Sequence, residues 1–284
     1  MKTKKVKKSR IWELDFLRGI AILLVVYDHI MLTFGNFAHT FEATGRESLI
    51  NLSLKGLKYW TSDIRLFWRP FFLFLFFFIA GICTAFSRNN FKRAFKIGLA
   101  AVAVSAGTFI LENFILQESG YFVMFGILHC MTAIILIYAI VSTIVKYASK
   151  NNKYILAAVC SILGVVAVIM DKLYNLSVTE ITLSSPPYID TPHQWLGLFI
   201  YVESWWTADY FPTLPFIGYF FLGAATSVFA YPNRQSLLPK LDGKWHTPIS
   251  FFGKYSLTVY FASQILASLA CFLIAYSITG SFSM

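Results

Sequence analysis

The sequence predicts an all-α fold: a polytopic transmembrane helical bundle of about seven spans, with an interfacial or re-entrant helix in one of its outward segments. Three observations predict it. Of 284 residues, 57% are hydrophobic and only 13% charged, whereas a soluble domain is nearer half apolar and a quarter charged. Mean hydropathy is +0.63. The apolar residues fall in runs of about 20, the length that crosses a bilayer as a helix. Disorder, a collagen-like fibre and an ordinary soluble enzyme are excluded by the same figures.

The expected spans are roughly 12–35, 66–87, 97–117, 122–147, 154–170, 211–230 and 248–276, with edges uncertain by several residues. The first follows Lys2, Lys4, Lys5, Lys7, Lys8 and Arg10. A signal peptide would continue into a clean apolar core and a cleavage site. Here Glu13, Asp15 and Arg18 interrupt the run, so a retained first helix is expected. Arg88, Lys92, Arg93 and Lys96 follow the second span. Lys146, Lys150 and Lys153 follow the fourth, and Arg234, Lys240 and Lys244 the sixth. The positive-inside rule then places the N-terminus in the cytoplasm and the C-terminus outside. The chain divides into a basic cytoplasmic start (1–11), a single membrane domain (12–276) and a short outward tail (277–284).

Two long segments, about 36–65 and 171–210, would face outward on this count. The second holds His193, Trp195, Glu203, Trp205, Trp206 and Asp209. Its apolar stretch from Trp195 to Val202 is too short to span and fits an interfacial or re-entrant helix. The tryptophans suit an aromatic belt as readily as a ligand.

The net charge of +10 sits between apolar runs, as in cytoplasmic loops, and so does not indicate nucleic acid. Cys83, Cys130, Cys160 and Cys271 each lie in an apolar run without CxxC spacing. They read as small buried hydrophobes; no metal site is expected.

The first span carries the chemistry-bearing residues. At about 100° per residue, Asp15 lies near 60° and His29 near 20° from Arg18, whereas Asp28 is about 100° from His29. Asp15, Arg18 and His29 therefore share a face, and Asp28 looks toward another partner. Ionisable groups in a membrane core are expensive and point to function by default. Asp15 and Arg18 can equally form an interfacial i,i+3 ion pair, and His29 can equally be a hydrogen-bonded packing residue. His29 stands roughly 16 Å above Arg18. His129, on the fourth span, lies at a similar depth, about 10 Å below the outer surface. Glu112 near the end of the third span, Asp209 at the mouth of the sixth and Gln264 in the seventh are further candidates. Whether they converge depends on helix order.

Four stretches carry a resemblance. They are Leu14-Asp15-Phe-Leu-Arg18-Gly19-Ile-Ala-Ile, Phe125-Gly126-Ile-Leu-His129-Cys, the run from Asp209 through Pro212, Pro215 and Gly218 to Gly223, and Gly253-Lys-Tyr-Ser256-Leu-Thr-Val-Tyr260-Phe-Ala-Ser-Gln264. In these the chain resembles the transmembrane acyltransferase superfamily, and most closely the catalytic domain of heparan-alpha-glucosaminide N-acetyltransferase with its bacterial relatives. The spacing of Arg18 and His29 also resembles the Arg-x10-His motif of acyltransferase-3 proteins, whose His is essential. Two departures stand out: Ser263-Gln264 replaces a His-Gln pair, and His39 takes a place like that of the animal enzymes' loop histidine without matching its surroundings.

The resemblance implies an acetyl-CoA (acyl-CoA) donor on the cytoplasmic side and an acceptor, often a carbohydrate, on the other. With it, His29, His129 and Asp28 are the expected catalytic groups. Arg18, Asp15 and Lys254 are expected at the donor, and His39, Asp209, Gln264 and Glu112 at the acceptor. The lipid bilayer is the surrounding partner, and a bacterial inner membrane the expected location. The rival reading is a transporter or channel in which the same buried charges form a pathway without chemistry. A structural membrane protein held together by polar residues is a third.

Overall fold

The computed structural model describes residues 10–116, 121–182, 194–200 and 209–280. Ten α-helices form most of these residues: α1 (Trp12–Asn36), α2 (Ala38–Ala43), α3 (Glu47–Trp60), α4 (Asp63–Ala85), α5 (Asn90–Ile110), α6 (Ile127–Ala148), α7 (Lys153–Thr182), α8 (Phe216–Ala230), α9 (Thr247–Lys254) and α10 (Ser256–Thr279). No strand occurs among them. Six helices are long and apolar enough to cross a bilayer, and α8 is a shorter apolar helix. The protein is thus an all-α, multi-pass membrane bundle.

The expected spans shift in instructive ways. The last one divides at Tyr255 into α9 and α10. The fourth begins at Ile127 and not near 122, because Gly126 is extended (φ −90°, ψ −171°) and caps α6. The segment 36–65, expected only as an outward connection, forms α2 and α3 and the first turn of α4. Where a short interfacial or re-entrant helix was expected, the described residues form a 3₁₀ turn, Gln194–Leu198. His193, Glu203, Trp205 and Trp206 lie outside the described residues.

Two compact units divide the chain: residues 1–76 with 233–284, and residues 77–232. In the first unit α1 is central and packs on α3, α9 and α10. Glycines allow the close approaches. A Cβ on Gly19 would overlap the Ile249 carbonyl, and one on Gly253 would overlap the Asp15 carbonyl. The backbones of α1 and α9 therefore touch directly, as small residues permit between membrane helices. Gly56 does the same for α3, where a Cβ would stand 2.6 Å from the Met31 oxygen.

The N-terminal end of α1 is held by the segment before α9. Trp12 stacks on His246 with centroids 4.5 Å apart and donates its indole N–H to Leu238 O at 3.2 Å. Glu13 accepts from Leu237 N at 2.6 Å. His246 is itself fixed between Ser250 and Asp242, each at 2.9 Å.

In the second unit α8 packs on α7, and α5 on α6. Gly223 meets the Phe78 carbonyl and Gly81 the Phe220 carbonyl with no room for a side chain. Phe220, Ile134, Ile135, Cys130 and Cys160 are fully buried around them. All four cysteines are free thiols, as small buried or half-buried hydrophobes would be.

Candidate functional site

The residues of α1 define the site in the first unit. His29 is half-buried. Its Nδ1 lies 2.9 Å from the carbonyl of Val25, one turn earlier on the same helix. A carbonyl only accepts, so Nδ1 carries the ring proton and Nε2 keeps its lone pair in the neutral imidazole. Nε2 faces the Tyr260 hydroxyl across a long 3.5 Å. The two rings meet edge-on, with centroids 5.3 Å apart. His29 is thus half-buried, with its second ring nitrogen facing the Tyr260 phenol. One turn beyond Tyr260, the Gln264 amide nitrogen is buried and has no hydrogen-bond partner among the described residues. A buried amide left unbonded costs about 1–3 kcal/mol, a cost often found where a ligand supplies the partner.

Asp28 turns away from His29, as helical periodicity requires. Arg65 at the start of α4 donates Nε to its Oδ1 at 2.7 Å and Nη2 to its Oδ2 at 3.3 Å. Both side chains are buried, at 6–7% exposure. The guanidinium also lies 3.4 Å from the Trp60 ring centroid and donates Nη1 to the Trp60 carbonyl at 3.2 Å. Tyr59 donates its hydroxyl to Asp28 Oδ1 at 3.2 Å. Burial first, and then the Asp28 charge beside it, push the Tyr59 phenol up to about 12. These contacts tie α1 to the end of α3 and the start of α4, one residue from His29.

At the N-terminal end of α1, Arg18 pairs loosely with Asp15 at 3.8 Å, and Arg10 reaches the same carboxylate at 3.8 Å. The i,i+3 ion pair is therefore present. Lys254, at the end of α9, is exposed, with its ammonium 4.9 Å from the Tyr255 ring centroid. Gly253 against Asp15 brings Lys254 to the same end of α1 as Arg18. His39 is exposed on α2.

The remaining candidates belong to the second unit. Gly126 N donates to His129 Nδ1 at 3.3 Å, so Nε2 carries the proton; Nε2 lies 3.1 Å from Ser105 Oγ. Ser105 passes its own hydrogen to Val123 O at 2.6 Å. His129 thereby uses both ring nitrogens to join α5 to the beginning of α6. Asp209 accepts from Ile127 N, the first amide of α6, at 3.3 Å. Glu112 sits in a π-helical turn, Leu111–Leu116, and accepts from the Tyr121 and Phe122 amides at 2.8 and 2.7 Å. Each of the three satisfies backbone groups that a helix end or a connection would otherwise leave unbonded.

The structure thus gathers Asp15, Arg18, Asp28, His29, Lys254 and Gln264 in the first unit, and His129, Glu112 and Asp209 in the second. Sequence reasoning missed Arg65, Tyr59 and Trp60. A signal was available: a buried Asp28 needs a cation, and Arg65 stood at the edge of the expected second span. It gave Tyr260 no role, although Tyr260 shares a helix face with Gln264 at i,i+4. Among the described residues no group of three or more His, Cys, Asp or Glu is placed to hold a metal.

The family model for heparan-alpha-glucosaminide N-acetyltransferase, catalytic, matches residues 10–265. No curated protein and no solved structure matches the chain. The match takes in α1 to α9 and the first part of α10, and with the membrane-spanning helices it establishes a multi-pass, acetyltransferase-like membrane protein: the chain belongs to the heparan-alpha-glucosaminide N-acetyltransferase catalytic family.

Proposed function

We infer that the protein transfers an acyl group from a cytoplasmic acyl-CoA, acetyl-CoA in the simplest case, to a hydroxyl or amine acceptor, such as a sugar, on the other side of the membrane. What supports this is His29, whose Nδ1 is held by the Val25 carbonyl and whose Nε2 lies 3.5 Å from the Tyr260 hydroxyl. Family membership supports acyl transfer. The N-terminus is cytoplasmic in this reading, on the evidence of the basic connections, and a bacterial inner membrane is the setting.

Arg18 and Lys254 meet the donor's phosphates at the N-terminal end of α1, since guanidinium groups match phosphate geometry. Asp15 holds Arg18 until the donor arrives. The pantetheine arm runs along α1 and brings the thioester to His29. His29 Nε2 takes the proton of the acceptor as it attacks the thioester carbonyl. The new C–O or C–N bond forms, the C–S bond breaks, and the imidazolium returns its proton to the departing CoA thiolate. Tyr260 O–H and the unpartnered Gln264 amide are donors for the oxyanion that forms in between; one such donor is worth roughly 3 kcal/mol. Asp28 acts through Arg65 as a positioning residue, fixing the turn of α1 that carries His29. His129, Asp209 and Glu112 hold the second unit's connections, and His39 is left to the acceptor side.

Acetyl-CoA binding by the purified protein, with Arg18→Ala alongside, tests the donor half. Saturable binding that Arg18→Ala weakens is expected. A folded protein that binds no acyl-CoA would end the acyltransferase reading in favour of a transport pathway.

A further inference from the structure

The connection that precedes α9 carries an exposed apolar surface. Leu237, Leu238, Leu241 and Trp245 fall within nine residues, and each is 47–58% exposed. Two 3₁₀ turns, Pro239–Leu241 and Lys244–His246, shape the segment. Trp245 donates its indole N–H to Leu241 O at 2.7 Å and meets the Phe16 ring with centroids 5.3 Å apart. Its one polar atom is satisfied within the segment, so what it shows outward is carbon. Apolar surface gathered in this way marks a membrane or partner surface.

Contacts with α1 fix the depth of the segment. Leu237 N donates to Glu13, and Leu238 O accepts from Trp12. Both partners belong to the first turn of α1. The 25 residues of α1 are roughly 37 Å long at about 1.5 Å per residue, and the hydrocarbon core is only about 30 Å thick. Arg10, Glu13, Asp15 and Arg18 crowd this end of the helix, and ionisable groups keep it out of the hydrocarbon. The first turn, with the segment tied to it, therefore falls in the headgroup layer.

Charge then selects the lipid. Lys240 and Lys244 are exposed and stand among the four apolar side chains. Lysine stems lie along apolar surface while the ammonium reaches the headgroups. Asp242, the only acidic residue after Asp209, is engaged by His246 at 2.9 Å. We propose that Leu237–Trp245 is an interfacial strap that lies in the headgroup layer and binds anionic phospholipid through Lys240 and Lys244. Arg18 and Lys254, assigned to the donor above, take no part in it, and the strap is independent of which group the protein transfers.

The test uses the full chain in nanodiscs of phosphatidylcholine and phosphatidylglycerol, with bromine on the acyl chains of one lipid or the other. The difference in fluorescence quenching between the wild type and Trp245→Phe isolates Trp245. Each basic residue beside an anionic surface strengthens attachment about fivefold. Trp245 should therefore reach half of its full quenching at a phosphatidylglycerol fraction at least about fivefold below the phosphatidylcholine fraction that does the same. Replacing both Lys240→Gln and Lys244→Gln should remove this preference, and salt at about 0.5 M should reduce it. Equal quenching by the two lipids in the wild type overturns the proposal, as does a preference that survives in the double variant. Absence of Trp245-dependent quenching by either lipid overturns it too, and leaves the patch to a partner protein. Should Trp245→Phe fail to fold, the melting temperature decides: it should rise with phosphatidylglycerol in the wild type and rise less in the double lysine variant, and equal rises overturn the proposal.

Discussion

Arg65 grips both carboxylate oxygens of Asp28, at 2.7 and 3.3 Å, in a buried pair that sits one residue from His29. In the proposed mechanism the pair positions the turn of α1 that carries His29. Removing one partner of a buried pair leaves an uncompensated charge, at a cost of about 3–5 kcal/mol. Arg65→Ala should therefore lower the melting temperature sharply. The double replacement Asp28→Leu with Arg65→Met should recover most of that loss, because the isolated charge is gone. Thermal unfolding in detergent of the two single variants and the double decides this; additive losses would show that the pair does not act as a unit.

The two histidines should separate by assay. His29→Ala is expected to retain the fold and to lose about 10²–10⁴-fold in turnover, the usual contribution of a general base. His129→Ala removes the link between Ser105 and the Gly126 amide. It should lower stability first, with residual transfer in whatever protein remains folded. Normal turnover in His29→Ala would remove this assignment.

Gln264 offers a contrast between stability and activity. Its buried amide has no partner among the described residues, so Gln264→Leu should leave the melting temperature unchanged or raise it. If the amide serves the oxyanion, the same variant loses about 10²–10³-fold in kcat with little change in donor affinity. Tyr260→Phe should show the same pattern at smaller size. A fall in stability without loss of kcat would make Gln264 a packing residue only.

Tyr59 gives a pH dependence with a definite sign. Burial and the Asp28 charge raise its phenol from 10.0 to about 12. The unfolded chain ionises Tyr59 first, so the contribution of this group to stability is complete below pH 10 and declines as pH rises toward 12. The melting-temperature difference between the wild type and Tyr59→Phe should be constant up to about pH 10 and shift against the wild type above it. A difference that does not move between pH 9 and 11.5 would show that the Tyr59 phenol titrates normally.

By itself, the sequence determined the environment and the class. Apolar runs of bilayer length leave a helix bundle as the only way to satisfy the backbone, and the motifs at Asp15–Arg18, His129, Asp209–Gly223 and Gly253–Gln264 carried the family. Helical periodicity also separated Asp28 from His29, because a 100° turn per residue is a property of the helix alone. Tertiary structure decided what each polar residue touches. Arg65 was unremarkable at the edge of a span until folding set it on Asp28, and Tyr260 had no role until α10 lay against α1. Periodicity gave His129 a depth but no azimuth; only the fold showed that its ring nitrogens serve Gly126 and Ser105. The break at Tyr255 was hidden because α9 and α10 are apolar on both sides of it, so hydropathy runs on where the backbone does not.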